Sequence, residues 1–169
     1  MNYLVLVLRI IHIVGGVIWV GGTLTMAFFI APTVGATAEA GQKFIGHLMG
    51  NLKFSNRMSA AAGLTIAAGF ILYWIDSVGF TSAWMSSGAG RGFGIGAAFA
   101  LIGFIFGILV GRTTQAMAAL GAQFQGKPSA EQMSQMQSLG KRQGSYANSS
   151  AAMLIIASIF MAIARYLVF

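Results

Sequence analysis

The 169-residue sequence contains no cysteine, two prolines and three acidic residues, Glu39, Asp76 and Glu131. The missing thiols exclude disulfides, thiolate metal sites, iron–sulfur ligation and cysteine catalysis. The three acids offer no plausible pair of catalytic carboxylates, and neither a phosphate-cradling G-x-x-x-x-G-K segment nor a metalloprotease H-E-x-x-H is present. The glycine-rich segment 88–96 lies in no strand–turn–helix unit, so no dinucleotide site is expected. Charge of either sign is also scarce: 8% of residues are charged and 57% hydrophobic. Such a chain lacks the polar groups needed to cover a water-soluble globule.

What the chain has instead is long apolar runs. Segments 10–38, 58–75, 92–111 and 143–164 contain no Asp, Glu, Lys or Arg. Each approaches or exceeds the ~18 to 20 residues that cross a bilayer as a helix. They predict an all-α, integral membrane protein built as an antiparallel four-helix bundle. A single transmembrane domain takes up residues 1–169, with spans near 3–31, 52–75, 92–116 and 145–167. Any chemistry must then sit among the helices or in short loops. Residues 36–38 (Ala-Thr-Ala) have the form of a signal-peptidase site, but the apolar run before them is too long and opens without charge, so no cleavage is expected.

The net charge of +7 comes from scattered cations, which suits anionic lipid headgroups rather than nucleic acid. Lys43, Lys53, Arg57, Arg112, Lys127, Lys141 and Arg142 fall on the side of the first and third connections, and Arg9, Arg91 and Arg165 on the other. This asymmetry predicts a multi-pass protein with both termini extracytoplasmic.

Local signals refine the helices. Pro32 is expected to end helix 1, and Thr37 to cap the next. Over 39–56, Phe44, Ile45, Leu48, Met49 and Leu52 oppose Lys43, His47 and Asn51, which predicts a surface helix running directly into the second span. Tyr73 and Trp74 suit an interfacial belt, Asp76 ends the span, and 77–91 reads as a loop with Trp84 at the interface. Gly92, Gly96, Gly103, Gly107 and Gly111 allow close helix approach along helix 3. Ser129 and Gln132 form a capping box that opens helix 4.

The chemistry centres on His12. Arg9, His12, Gly16, Trp19, Thr23 and Met26 follow the 3, 4, 3, 4, 3 spacing of one helix face. His12 should lie about 12 Å below the membrane surface and His47 roughly 30 Å from it along the normal. The two imidazoles of one chain therefore cannot share a metal ion, and His47 reads as an exposed residue. An intramembrane imidazole suits haem iron or copper, or else a hydrogen bond to a neighbouring helix. Arg9, with Arg91 and Arg165 at the same depth, suits an anionic group such as a haem propionate, although each alone also suits lipid phosphate. Asp76 is expected to pair with one of these arginines. Gly15, Gly16, Gly21 and Gly22 leave room for a flat macrocycle or a close helix. For copper, the nearest thioethers would be Met26 or Met161, and a second His12 across a symmetric dimer would also serve. Methionine as apolar filler is the alternative reading.

Leu8-x-x-x-His12, Gly15, Trp19-Val20-Gly21-Gly22 and Pro32 resemble helix 1 of a broad group of small four-helix bacterial membrane proteins. That group includes the membrane domain of copper-resistance protein D and the haem-binding, J-type protoporphyrinogen oxidases. Arg57 ahead of an apolar run carrying Gly69 is similar to helix 2 of that group. The motif covers about residues 8–32, while the likeness in helix count covers the whole chain. The resemblance implies a bacterial inner-membrane location and a haem-ligating role for His12. Where the oxidases have an important lysine near the start of helix 3, this chain offers Arg91, which cannot ligate iron.

The expectation is thus a b-type haem protein with a redox role: His12 as axial ligand, Arg9, Arg91 and Arg165 at propionates, and Gly16 and Trp19 beside the macrocycle. If it is an enzyme, it is a membrane oxidoreductase whose catalytic residues are unassigned. The alternatives are a copper-handling transport protein using His12 with Met26 or Met161, and a non-enzymatic membrane subunit or homo-oligomer that docks through helix 3.

Overall fold

The computed structural model describes residues 3–124 and 126–168, and among these it is all-helical with no strand. Four helices are long and apolar enough to cross a membrane: Tyr3–Ala36, Phe54–Asp76, Gly88–Gly121 and Ala130–Tyr166.

The first is continuous through Pro32. Regular helix α1 (Tyr3–Thr25) passes into one wider π-helical stretch (Met26–Ile30) and resumes as α2 (Ala31–Ala36). Proline lacks an N–H and its ring collides with the carbonyl four residues back, which ordinarily stops a helix. Here the Ala31 N–H bonds to the Met26 carbonyl five residues back, and this widened turn accommodates the ring. The expected stop at Pro32 is therefore not made; the helix ends five residues later at Thr37, the N-cap position of α3 (Ala38–Gly50). The Thr37 hydroxyl does not cap α3 but donates back to the Thr33 carbonyl at 2.7 Å.

Nor does α3 run directly into the second span. The helix breaks at residues 51–53, where Lys53 adopts a left-handed φ of 50°, before α4 (Phe54–Asp76) begins. The 77–91 segment is less open than expected: turns lead to a short 3-10 turn (Ala83–Ser86), and Ser87 caps α5 (Gly88–Gly121) by accepting from the Gly90 N–H. Arg91 consequently lies inside the first turn of α5. The capping box forms as expected at Ser129 and Gln132 and opens α6 (Ala130–Ile163).

The helices associate as two close pairs. In the α5–α6 pair, a Cβ on Gly92 would lie 2.9 Å from the Ala164 Cα, one on Gly96 3.3 Å from the Ala157 carbonyl, and one on Gly103 3.0 Å from the Leu154 side chain. Contacts thus climb α5 as they descend α6. The fully buried Ser150 hydroxyl donates to the Gly103 carbonyl at 2.8 Å. In the α1–α4 pair, Gly22 meets Met58, Gly15 meets Ala61 and Thr65, and His12 meets Gly69, again in opposite order. Trp19, Ala61, Ala62 and Leu154 join the pairs in a small core. Apolar side chains such as Val17, Phe29, Phe70 and Ile105 cover much of the outside, which water would penalise and lipid would not.

Candidate functional site

Between the two pairs, near the start of α1 and the end of α6, lies a cavity of about 750 Å³. Interiors normally pack without such voids, and this volume is in the range of small-molecule sites. Its origin is local. Gly94, Ala97 and Ala100 on α5 and Thr65 and Gly69 on α4 line it, and these small side chains leave the space between the helices unfilled. Trp84 and Tyr73 close one end, packed 5.3 Å apart between ring centroids. Phe93 stacks on Trp84, and the Tyr73 hydroxyl donates to the Gly90 carbonyl at 3.1 Å. The backbone beside this aromatic wall takes positive φ at Val78, Gly79 and Phe80, costly for the β-branched Val78; the bend sets Phe80 against Trp74 at 5.1 Å. Trp19 lines the inner part of the cavity and meets Phe104 edge-on at 6.0 Å.

The polar lining is confined to a few groups. Arg9, Asp76 and Arg165 line the mouth, and His12 stands one turn inside Arg9. The Nδ1 atom of His12 lies 2.8 Å from the Thr65 carbonyl oxygen. A carbonyl can only accept, so Nδ1 carries the proton. The expected Asp76–arginine pair is not formed: among the described residues the one ion pair is Lys43–Glu39, at 2.8 Å on the exposed surface of α3. The two guanidinium groups and the carboxylate at the mouth therefore have no ionic partner among the described residues, which leaves them available to a ligand.

Of the residues singled out by sequence, Arg9, His12, Trp19, Met161 and Arg165 line this one cavity. Three others do not. Gly16 stands at the α1–α4 seam, with a Cβ there 3.7 Å from the Thr65 methyl. Met26 lies seven residues past Trp19, about 10 Å farther along the helix. Arg91 is exposed outside the lining. His47 is exposed on α3, as expected. Thr65, Gly69, Tyr73, Trp84 and Phe93 belong to the site without having been singled out for it. The sequence signal for Thr65 and Gly69 is their spacing of four, which stacks them on one face of α4.

Comparison with protein-family models, characterised proteins and solved structures finds no match for this chain.

Proposed function

We propose that the chain is a multi-pass, antiparallel four-helix membrane protein that holds haem b at His12 and serves electron transfer or a haem-linked oxidation. The observation that carries this reading is the state of one imidazole. With Nδ1 donating to Thr65, the other ring nitrogen, Nε2, has no hydrogen-bond partner among the described residues, and His12 lines the 750 Å³ cavity. That is the arrangement of a ligating histidine, whose second nitrogen is held by a carbonyl or carboxylate.

The donor set favours a macrocycle over a bare ion. A tetrapyrrole brings four equatorial nitrogens and needs one or two axial protein ligands. A copper ion takes most of its ligands from the protein, and among the described residues no group of three or more His, Asp or Glu side chains is placed to hold one. His12 would hold the iron, and Met161 lines the same cavity from α6. Arg9 and Arg165 would pair with the propionates, and Trp19, Tyr73, Trp84 and Phe93 would pack on the ring. Bound haem would supply one-electron chemistry; the protein's part is to orient it, exclude water and tune the axial nitrogen.

The likeness of helix 1 to the copper-resistance and J-type oxidase group supports the same assignment. The surplus of cations on the connections following α1 and α5 supports extracytoplasmic termini, with the cavity mouth facing the outer side of a bacterial inner membrane. Copper handling is the second reading, and it rests on His12 and Met161 sharing one cavity.

The test is the absorption spectrum of detergent-solubilised protein produced with ample haem. A Soret band in wild type and its loss in His12→Ala are expected. A band that survives the substitution, or none in wild type, overturns the proposal, and copper copurifying in a His12-dependent manner would establish the second reading.

A further inference from the structure

Gly69 is the one glycine of α4 that meets another helix's polar side chain. A Cβ built on it would lie 2.6 Å from Cε1 and 2.8 Å from Nδ1 of His12. Both separations are shorter than carbon–carbon or carbon–nitrogen contacts permit, so a methyl at 69 would push the ring off its place beside the Thr65 carbonyl, toward the cavity it lines. The other glycine inside α4, Gly63, has nothing within 4 Å of such a Cβ. Gly69 also follows Thr65 by four. In an α-helix the carbonyl of one residue points toward the residue four later, so a side chain at 69 would cover the Thr65 carbonyl from outside. Glycine there uncovers it, and the second lone pair of that oxygen becomes reachable from α1. Gly15 makes the complementary approach from the other helix: a Cβ there would lie 2.6 Å from the Thr65 hydroxyl, which is itself committed to the Ala61 carbonyl at 2.8 Å.

From this we infer that Gly69 and the Thr65 carbonyl are positioning groups for His12: together they seat the ring, hold the proton on Nδ1 and make Nε2 the ligating atom. The inference rests on the haem reading for its purpose, but its geometry is independent of any cofactor. It assigns a role to a residue with no side chain, one that touches no ligand and acts through His12.

The test uses the fact that the chain has two histidines. Histidine-selective 15N NMR of the full chain in detergent micelles, without haem and at mildly alkaline pH, should show two rings in different states. His47, exposed, should average between tautomers. His12 should show a single Nδ1-protonated tautomer. Gly69→Ala should return His12 to averaging and weaken haem binding roughly 10- to 100-fold, the usual cost of losing an outer partner of a metal-bound histidine. Gly63→Ala should change neither. A wild-type His12 that averages, or is protonated on Nε2, overturns the inference without any variant being needed. So does a Gly69→Ala protein that keeps the locked tautomer. A locked tautomer in a chain that takes up no haem would sink the haem reading while leaving the seat in place; haem uptake unchanged by Gly69→Ala would do the reverse.

Discussion

The two helix pairs use glycine for opposite ends. Between α5 and α6, Gly92, Gly96 and Gly103 bring the backbones together over Ala164, Ala157 and Leu154, and along this stretch the contacts of the three glycines are apolar apart from the Ser150–Gly103 bond. Between α1 and α4, Gly15 and Gly69 bring the backbones together around a hydroxyl and an imidazole. The first seam is a packing device, of the kind that holds helices together where lipid supplies no hydrophobic drive. The second spends the same close approach on aiming one titratable ring. A small-residue pattern in sequence is thus ambiguous until its opposite number is known: the partner of Gly92 is a methyl group, and that of Gly69 is His12.

Substitutions sharpen this contrast. The largest effect is expected on the packing seam. A leucine at Gly92 would drive its side chain into the Ala164 backbone at 2.9 Å and Leu167 at 2.8 Å, and neither helix can retreat without opening the seam above and below. Overpacking of this sort costs ~1 to 3 kcal/mol, or more where backbone is hit. Gly92→Leu should therefore lower the thermal midpoint in detergent and reduce yield, whether or not any ligand is present; a midpoint equal to wild type would mean that α5 and α6 are not locked at this level. On the functional seam the effect should fall on the ligand instead. Arg9 and Arg165 line the cavity mouth with no ion pair among the described residues, so stability should change little when they are neutralised. Because both residues are exposed, a contact of each with a haem propionate, on the proposed reading, would be worth only about 1 kcal/mol, a few-fold in affinity. Arg9→Gln combined with Arg165→Gln should weaken haem binding roughly 30-fold in a titration while leaving the Soret position unchanged, since His12 is untouched. A shifted band would move these arginines from the propionates to the iron's own environment.

Much of the fold was legible in the sequence because its determinants are local. The four apolar stretches, the capping box at Ser129 and the end of α4 at Asp76 are properties of short segments, and the structure places all three as expected. The misreadings arose where a local rule met a neighbour. Pro32 fails to end its helix because the π-helical turn at Met26–Ile30 accommodates it, and nothing in residues 26–30 announces that turn. The start of α5 at Gly88, with Ser87 as its cap, is not legible because a serine followed by glycines reads equally well as a loop. For the site, spacing on α1 gave the shared side of Arg9, His12 and Trp19. It could not give depth limits set by other helices, which is why Met26 drops out, or the seam that takes Gly16. Tyr73, Trp84 and Phe93 reach the cavity from three different elements, a convergence that no single periodic pattern encodes.

The smallest effect is expected where the glycine series of α5 continues past its use. Gly107 and Gly111 extend the four-residue spacing of Gly103, yet a Cβ at either meets nothing within 4 Å. The reason lies beside them: the Phe106 and Tyr146 rings, 6.3 Å apart, and the Gln143–Thr114 bond at 2.7 Å span the α5–α6 seam here, so large side chains rather than bare backbone fill it. Gly107→Leu and Gly111→Leu should then destabilise the monomer by no more than about 0.5 kcal/mol, and the gain in helix propensity, up to about 1 kcal/mol per glycine removed in water, pulls toward stabilisation. That neutrality makes the pair a clean probe of docking through α5, which Gly103→Leu is not, because a Cβ at 103 already stands 3.0 Å from Leu154 inside the same chain. If a second copy or another membrane subunit seats on this stripe, the double variant should lose the association in cross-linking while its melting curve stays in place. A stability loss of about 2 kcal/mol, the overpacking range, would instead mean that α6 closes on Gly107 in the membrane and that the two seams differ less than Gly69 and Gly92 imply.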